Sequence, residues 1–127
     1  MANLTTLGGL QISFDPDSLA AIADHDSNTG KASTTIYGVT KAEIHIAESV
    51  EAFLARIGLA AKFAKLTRPN GTPVWVNGGA VSSLRPPLPG EYLDAVKTVI
   101  SMEPLTQGVK EAPEHAKAML NAHGGKL

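Results

Sequence analysis

The sequence predicts an α+β protein made of two pseudo-repeated antiparallel β-meander modules, each closed by a C-terminal helix. Three observations carry this expectation. The chain matches itself at an offset of about 62 residues, each copy opens on a glycine-centred hairpin signal, and each copy ends on an amphipathic helix. The chain has 127 residues, 43 % hydrophobic and 18 % charged, which is enough apolar surface for a packed core and too little charge for a disordered segment. Aromatic residues make up only 5 %, so Val, Ile, Leu and Ala must fill that core.

The repeat runs almost the whole length. Leu4-Thr5 falls on Leu66-Thr67, and the second glycine of Gly8-Gly9 falls on that of Asn70-Gly71. Ile12-Ser13-Phe14-Asp15 falls on Val74-Trp75-Val76-Asn77, and Leu19 and Ile22 fall on Val81 and Leu84. With small changes of offset, Thr34-Thr35-Ile36 meets Thr98-Val99-Ile100. Ile46-Ala47-Glu48 likewise meets Val109-Lys110-Glu111, and Ile57 meets Leu120.

In chain order, Leu4-Thr5-Thr6 and Ile12-Ser13-Phe14 alternate as half-buried strands around a Gly8-Gly9 turn of type I′. A third strand is expected near 18–23, although Asp15-Pro16-Asp17-Ser18 also fits the start of a short helix. Fourth and fifth strands are expected near 33–38 and 43–47. Val50, Phe53, Leu54 and Ile57 recur at i, i+3, i+4 and i+7, with Ser49 as N-cap, Glu51 in the first turn and Gly58 as the stop. The second copy repeats this with a hairpin at Asn70-Gly71 and strands near 80–85, 97–102 and 106–110. Its helix has Pro113 in the first position, Ala116, Met119 and Leu120 facing inward, and Gly124-Gly125 at its end. The expected units are thus 1–58 and 63–127, the second carrying a Pro-rich loop at 86–92. The junction between them is too short for a free linker, so the two are expected to pack as one compact body.

Charge divides between the halves. Residues 1–63 hold four basic and seven acidic side chains, a net of −3, whereas 64–127 hold seven and five, a net of +2. The resulting dipole suits self-association or solvates two faces. The overall charge of −1 argues against nucleic acid as a partner. No Cys is present, which removes disulfides and thiolate chemistry. No apolar run reaches the length of a membrane span, and the N-terminus lacks the basic-then-apolar pattern of a signal peptide, so a cytoplasmic protein is expected.

Residues 64–120 resemble the small FlbD/SwrD-type bacterial proteins. The likeness rests on Lys65-Leu66-Thr67-Arg68-Pro69-Asn70-Gly71, then Val74-Trp75-Val76-Asn77, then Thr98-Val99-Ile100 and Val109-Lys110-Glu111-Ala112. Glu48-Ser49-Val50-Glu51 keeps the same helix entry in the first half. The resemblance implies a small β-rich module linked to flagellar or swarming functions, without a known active site. The tandem arrangement and the Pro86-to-Tyr92 insertion depart from that pattern and weaken transfer of a motility role.

Chemistry-bearing patterns are few. Asp24-His25-Asp26-Ser27-Asn28-Thr29-Gly30 offers alternating oxygens, but Thr29 and Thr35 stand where a calcium loop needs Gly and Glu. Gly30-Lys31-Ala32-Ser33 lacks the upstream glycine of a phosphate loop. His45 lies near Glu43, and His115 and His123 are eight apart, so no metal-ligand spacing exists. Glu111 and Glu114 read as acids at a helix N-terminus. No catalytic residue, metal or cofactor is expected.

The binding candidates are Arg68, Trp75, Arg85, Tyr92, Lys97 and Lys110. Arginine clamps anions bidentately, and aromatic faces stack on rings. The structural alternative is that Trp75 fills the core and Arg85 pairs with Glu91 or Asp94. The expected function is a non-enzymatic binding or assembly protein of bacterial or phage origin, structural or accessory, as in virion decoration. Its partner is then itself, as a homo-oligomer, or a larger protein assembly, and its place the cytoplasm or the virion. The first alternative is a phage anti-defence protein sequestering a signalling cyclic nucleotide, a small anionic ligand. The second is a small regulator of flagellar type.

Overall fold

The computed structural model describes residues 2–24, 34–39, 43–91, 95–102 and 105–127. It is a mixed α+β structure of antiparallel strands and two helices, and it divides into two compact units, residues 1–61 and 62–127. The calcium-like segment after Asp24, the Gly30-to-Ser33 segment, Tyr92 and Asp94 lie outside the described residues.

In the first unit, β1 (Ala2–Thr5) and β2 (Gln11–Phe14) pair antiparallel with Leu4 opposite Ile12. The hairpin is not the type I′ turn expected. Gly9 has φ +87° but Gly8 is not left-handed, and the Gly9 amide donates to Thr6 O while the Thr6 amide donates to Leu10 O. This is a three-residue loop closing on a left-handed glycine, so only one turn position needs φ > 0. Next, the Asp15 carboxylate accepts from the Asp17 amide and caps a 3₁₀ turn at Pro16–Ser18. That turn occupies the beginning of the expected third strand, and β3 (Ala21–Asp24) starts later. It pairs with β4 (Thr34–Tyr37), which pairs with β5 (Ile44–Ile46). The helix α1 (Val50–Ile57) follows, with the Ser49 hydroxyl accepting from the Ala52 amide and Gly58 left-handed at its end. Val50, Phe53 and Leu54 are buried, and the Phe53 ring lies 6.2 Å from that of Phe14. The helix thereby packs against Phe14 of β2 and against β3.

The second unit has the same order of elements. β6 (Phe63–Thr67) and β7 (Pro73–Asn77) form a hairpin whose Gly71 has φ +89°, with the Gly71 amide donating to Arg68 O and the Arg68 amide to Thr72 O. Asn70 is not left-handed, so the type I′ expectation fails here as well. The Asn77 side chain accepts from the Gly79 amide and caps a 3₁₀ turn at Gly78–Ala80. β8 (Ser83–Arg85), β9 (Thr98–Met102) and β10 (Leu105–Val109) pair in that order. The helix α2 (Pro113–Ala122) buries Ala116 and Leu120, while Met119 is half-buried. It ends where Gly124, at φ +96°, lets the Gly125 amide return to Leu120 O, a Schellman-type closure.

β7 is not the alternating strand its sequence pattern predicts. Val74, Trp75 and Val76 are all buried, so both faces are covered. Lys65 stands opposite Trp75, and its ammonium lies 5.3 Å from the indole centroid. Its aliphatic stem can cover an indole face while its charge stays in water.

Each unit anchors its helix in the same way. Thr34 is fully buried and its hydroxyl donates to Glu48 O, the carbonyl just before the N-cap of α1. Thr98 is also fully buried and donates to Glu111 O, just before α2, at 2.7 Å. Replacing Thr98 by Val keeps the shape and orphans that carbonyl. Thr98→Val is therefore expected to cost about 1–3 kcal/mol in urea unfolding.

Neighbouring glycines in the second unit give a second test. A Cβ on Gly78 would meet His123 O at 2.5 Å and Leu120 O at 2.6 Å, both backbone atoms. A Cβ on Gly79 would meet nothing nearer than 3.5 Å. Gly78→Ala is expected to destabilise by about 1–3 kcal/mol through overpacking, while Gly79→Ala stays within about 0.5 kcal/mol. Equal losses for the two would contradict this packing.

Candidate functional site

The binding candidates named from sequence all fall in the second unit. Strand pairing brings four of them to one end of it. The Lys110 amide donates to Thr67 O, which sets the end of β10 beside the end of β6 and hence beside Arg68. The Lys97 amide donates to Val109 O, which adds the start of β9. Arg85 stands opposite Val99 at the end of β8, so the chain leaves β8 where β9 begins. Lys97 and Lys110 are exposed and Arg68 is half-buried. The result is a cationic rim of Arg68, Arg85, Lys97 and Lys110, drawn from four separate stretches of sequence.

Two of the candidates are occupied structurally. Trp75 is only 7 % exposed and belongs to the core of β7. Arg85 makes a two-pronged pair with Glu91, Nη1 to Oε1 and Nη2 to Oε2, both at 2.7 Å. Glu91 Oε1 also accepts from the Leu88 amide, and the Glu91 amide donates to Leu88 O. The Glu91 carboxylate thus braces the Pro-rich loop. Arg68 Nε donates to the Thr72 hydroxyl, which itself donates to Asn70 Oδ1.

Glu111 lies at the helix entry, just before the Ala112 N-cap, as its sequence position predicts, and Glu114 holds the first turn. The Glu111 carboxylate accepts from both the amide and the hydroxyl of Thr67, each at 2.9 Å. It therefore ties the helix entry to the end of β6, next in sequence to Arg68 and Lys110. No local pattern announces a partner 44 residues away.

The first unit has a different polar feature. Arg56 on α1 is gripped by Glu48, with Nε at 2.9 Å from Oε2 and Nη2 at 2.8 Å from Oε1, and its guanidinium lies 5.5 Å from the Phe53 ring centroid. Two adjoining open depressions, about 390 and 320 Å³, share Asn3 and Arg56 in their linings. Glu48 lines the first of these and neutralises the Arg56 charge there. On β4 and β5, the Thr35 hydroxyl lies 3.2 Å from His45 Nδ1, and His45 Nε2 lies 3.8 Å from Glu43. Thr35 is buried, so this row offers no accessible nucleophile. Among the described residues, no three His, Asp or Glu side chains gather as a metal site, and no helix is long and apolar enough to cross a membrane.

No protein-family model matches the chain, and no curated protein or solved structure matches it either.

The Arg85 brace has a measurable titration. Hydrogen bonding to Arg85, helped by the Leu88 amide, lowers the Glu91 carboxyl to about 2. A depressed folded-state pKa stabilises the structure above the unfolded value, near 4.3 for a glutamate, and that contribution is lost as pH falls from there toward 2. The Glu91 carboxyl resonance should inflect near 2 in the intact protein. In Arg85→Gln it should move back toward about 4.3. An unshifted inflection in that variant would show that the brace is absent in solution.

Proposed function

We propose that the chain is a duplicated, non-enzymatic assembly module of the accessory or virion-decorating kind, whose two related units present different surfaces to neighbouring molecules. The observation that carries this is the recurrence of hydrogen bonds at nearly constant spacing. Gly9 to Thr6 matches Gly71 to Arg68, and Asp17 to Asp15 matches Gly79 to Asn77, each pair separated by 62 residues. Thr34 to Glu48 matches Thr98 to Glu111 after shifts of 64 and 63. Such bonds fix turns and the helix entry, which an inherited duplication keeps while other side chains diverge. The likeness of 64–120 to FlbD/SwrD-type modules fits a single ancestral unit of this size.

The two units also differ in charge. Residues 1–61 carry three basic and seven acidic side chains, a net of −4, and residues 62–127 carry eight and five, a net of +3. Two modules with opposite charge on one chain suit bridging between copies or within a larger assembly.

Capture of a small anionic ligand, such as a cyclic nucleotide, is the second possibility, and the clustering of Lys97 and Lys110 beside Arg68 favours it. Against it, Trp75 is buried and Arg85 is already paired, so ring stacking and bidentate clamping both lack a ready group.

Sedimentation equilibrium separates these. Assembly predicts concentration-dependent association in the micromolar range that weakens on raising salt from about 0.05 to 0.5 M, as charge attraction is screened. A monomer at every concentration, with a thermal midpoint raised by added cyclic nucleotides, would overturn assembly in favour of ligand capture.

A further inference from the structure

The hairpins of the two units have the same backbone and opposite surfaces. In the first, the loop is Leu7-Gly8-Gly9-Leu10, and Leu7 and Leu10 are 46 % and 65 % exposed. In the second, the loop is Pro69-Asn70-Gly71-Thr72, and its polar groups are internally bonded. Asn70 Oδ1 accepts from both the amide and the hydroxyl of Thr72, and the Thr72 hydroxyl accepts from Arg68 Nε. The fold therefore does not require leucine at these positions. Two leucines at a hairpin tip place apolar surface in water, with no local structural return.

Both leucines belong to the unit of net charge −4. The Leu7 amide donates to His45 O, which holds the hairpin tip against β5. Glu43, at the start of β5, is exposed. The remaining large exposed apolar side chain among the described residues is Leu88, 60 % exposed, in the second unit. It sits in the Pro-rich loop, which Arg85 and Glu91 hold in one conformation and which leaves β8 at the cationic rim of Lys97, Lys110 and Arg68. A proline-stiffened turn, closed by the Glu91 amide on Leu88 O with Gly90 at φ +76°, loses little entropy on docking.

We propose that these two patches are the halves of one interface. The Leu7/Leu10 hairpin of one copy docks on the Leu88 loop of a second copy, acidic unit against basic rim. The inference rests on the assembly reading above and adds the surfaces and the geometry. The proposal places the two patches of one copy on two different neighbours, a head-to-tail contact that runs on or closes as a ring. A reciprocal pair of the same contacts would instead stop at a two-fold dimer.

Complementation tests this directly. The first variant carries Leu7→Ser and Leu10→Thr, the latter being the residue at the matching position of the second hairpin. The second carries Leu88→Ser. All three sites are exposed, so unchanged circular dichroism and thermal midpoints are expected and serve as the folding control. Wild-type protein should form species larger than a dimer as concentration rises. Each variant alone should be monomeric where the wild type associates, its apparent Kd raised at least tenfold. An equimolar mixture of the two variants retains one intact interface and should form a 1:1 heterodimer and nothing larger.

Variants that associate like the wild type would overturn the assigned surfaces while leaving assembly standing. A wild type that stops at a dimer would overturn the head-to-tail geometry in favour of a reciprocal two-fold contact, and monomeric variants that stay monomeric on mixing would overturn the pairing of the two patches. A wild type that is monomeric throughout would overturn assembly itself.

Discussion

The junction between the strands and each helix depends on one buried hydrogen bond. A threonine hydroxyl in the fourth strand of the unit donates to the carbonyl immediately before the helix N-cap, Thr34 to Glu48 and Thr98 to Glu111. Both threonines are fully buried, so neither hydroxyl can turn to water for a partner. An unmade bond at such a site costs more than a made one contributes, and this asymmetry fixes where the chain must leave the sheet. Once the exit is fixed, so are the helix direction and the residues that face inward: Val50, Phe53 and Leu54 in α1, Ala116 and Leu120 in α2.

The same frame carries different attachments. Glu48 and Glu111 precede their helices at matching points, yet their carboxylates diverge. Glu111 reaches back to the amide and hydroxyl of Thr67 and locks β6 to the helix entry. Glu48 reaches forward to Arg56, two turns along α1. The helix caps also differ. Ser49 supplies a hydroxyl to the first turn, whereas Ala112 supplies none and Pro113 removes one of the amides that would need it. Equivalent backbone demands are met by local side chains in one unit and by distant ones in the other. That freedom leaves the hairpin tips and charges open to diverge without disturbing the fold.

Legibility in the sequence followed the range of the interaction. The helices were readable because cap, periodicity and stop lie within ten residues: Ser49, the Val50–Phe53–Leu54–Ile57 face and Gly58 describe α1 completely. The hairpin glycines at 9 and 71 were readable as turns, but the turn type was not. Gly8-Gly9 and Asn70-Gly71 satisfy the type I′ pattern, while the strand register admits one more residue in each loop. The capped 3₁₀ turns after Asp15 and Asn77 delayed both third strands for the same local reason, visible in Asp15-Pro16 and hidden in Asn77-Gly78.

Sequence alone was enough for the α+β content, the order of elements and the cation–acid imbalance between the halves, since each is a property of composition or of neighbours in the chain. Tertiary structure decided what those residues do. It put Trp75 inside, closed Arg85 onto Glu91, gathered Arg68, Lys97 and Lys110 at one rim, and sent Glu111 to Thr67. Pairing between strands far apart in sequence chooses these neighbours, and a one-residue change of register would choose others. Local chemistry writes the elements; the register between them selects which side chains meet.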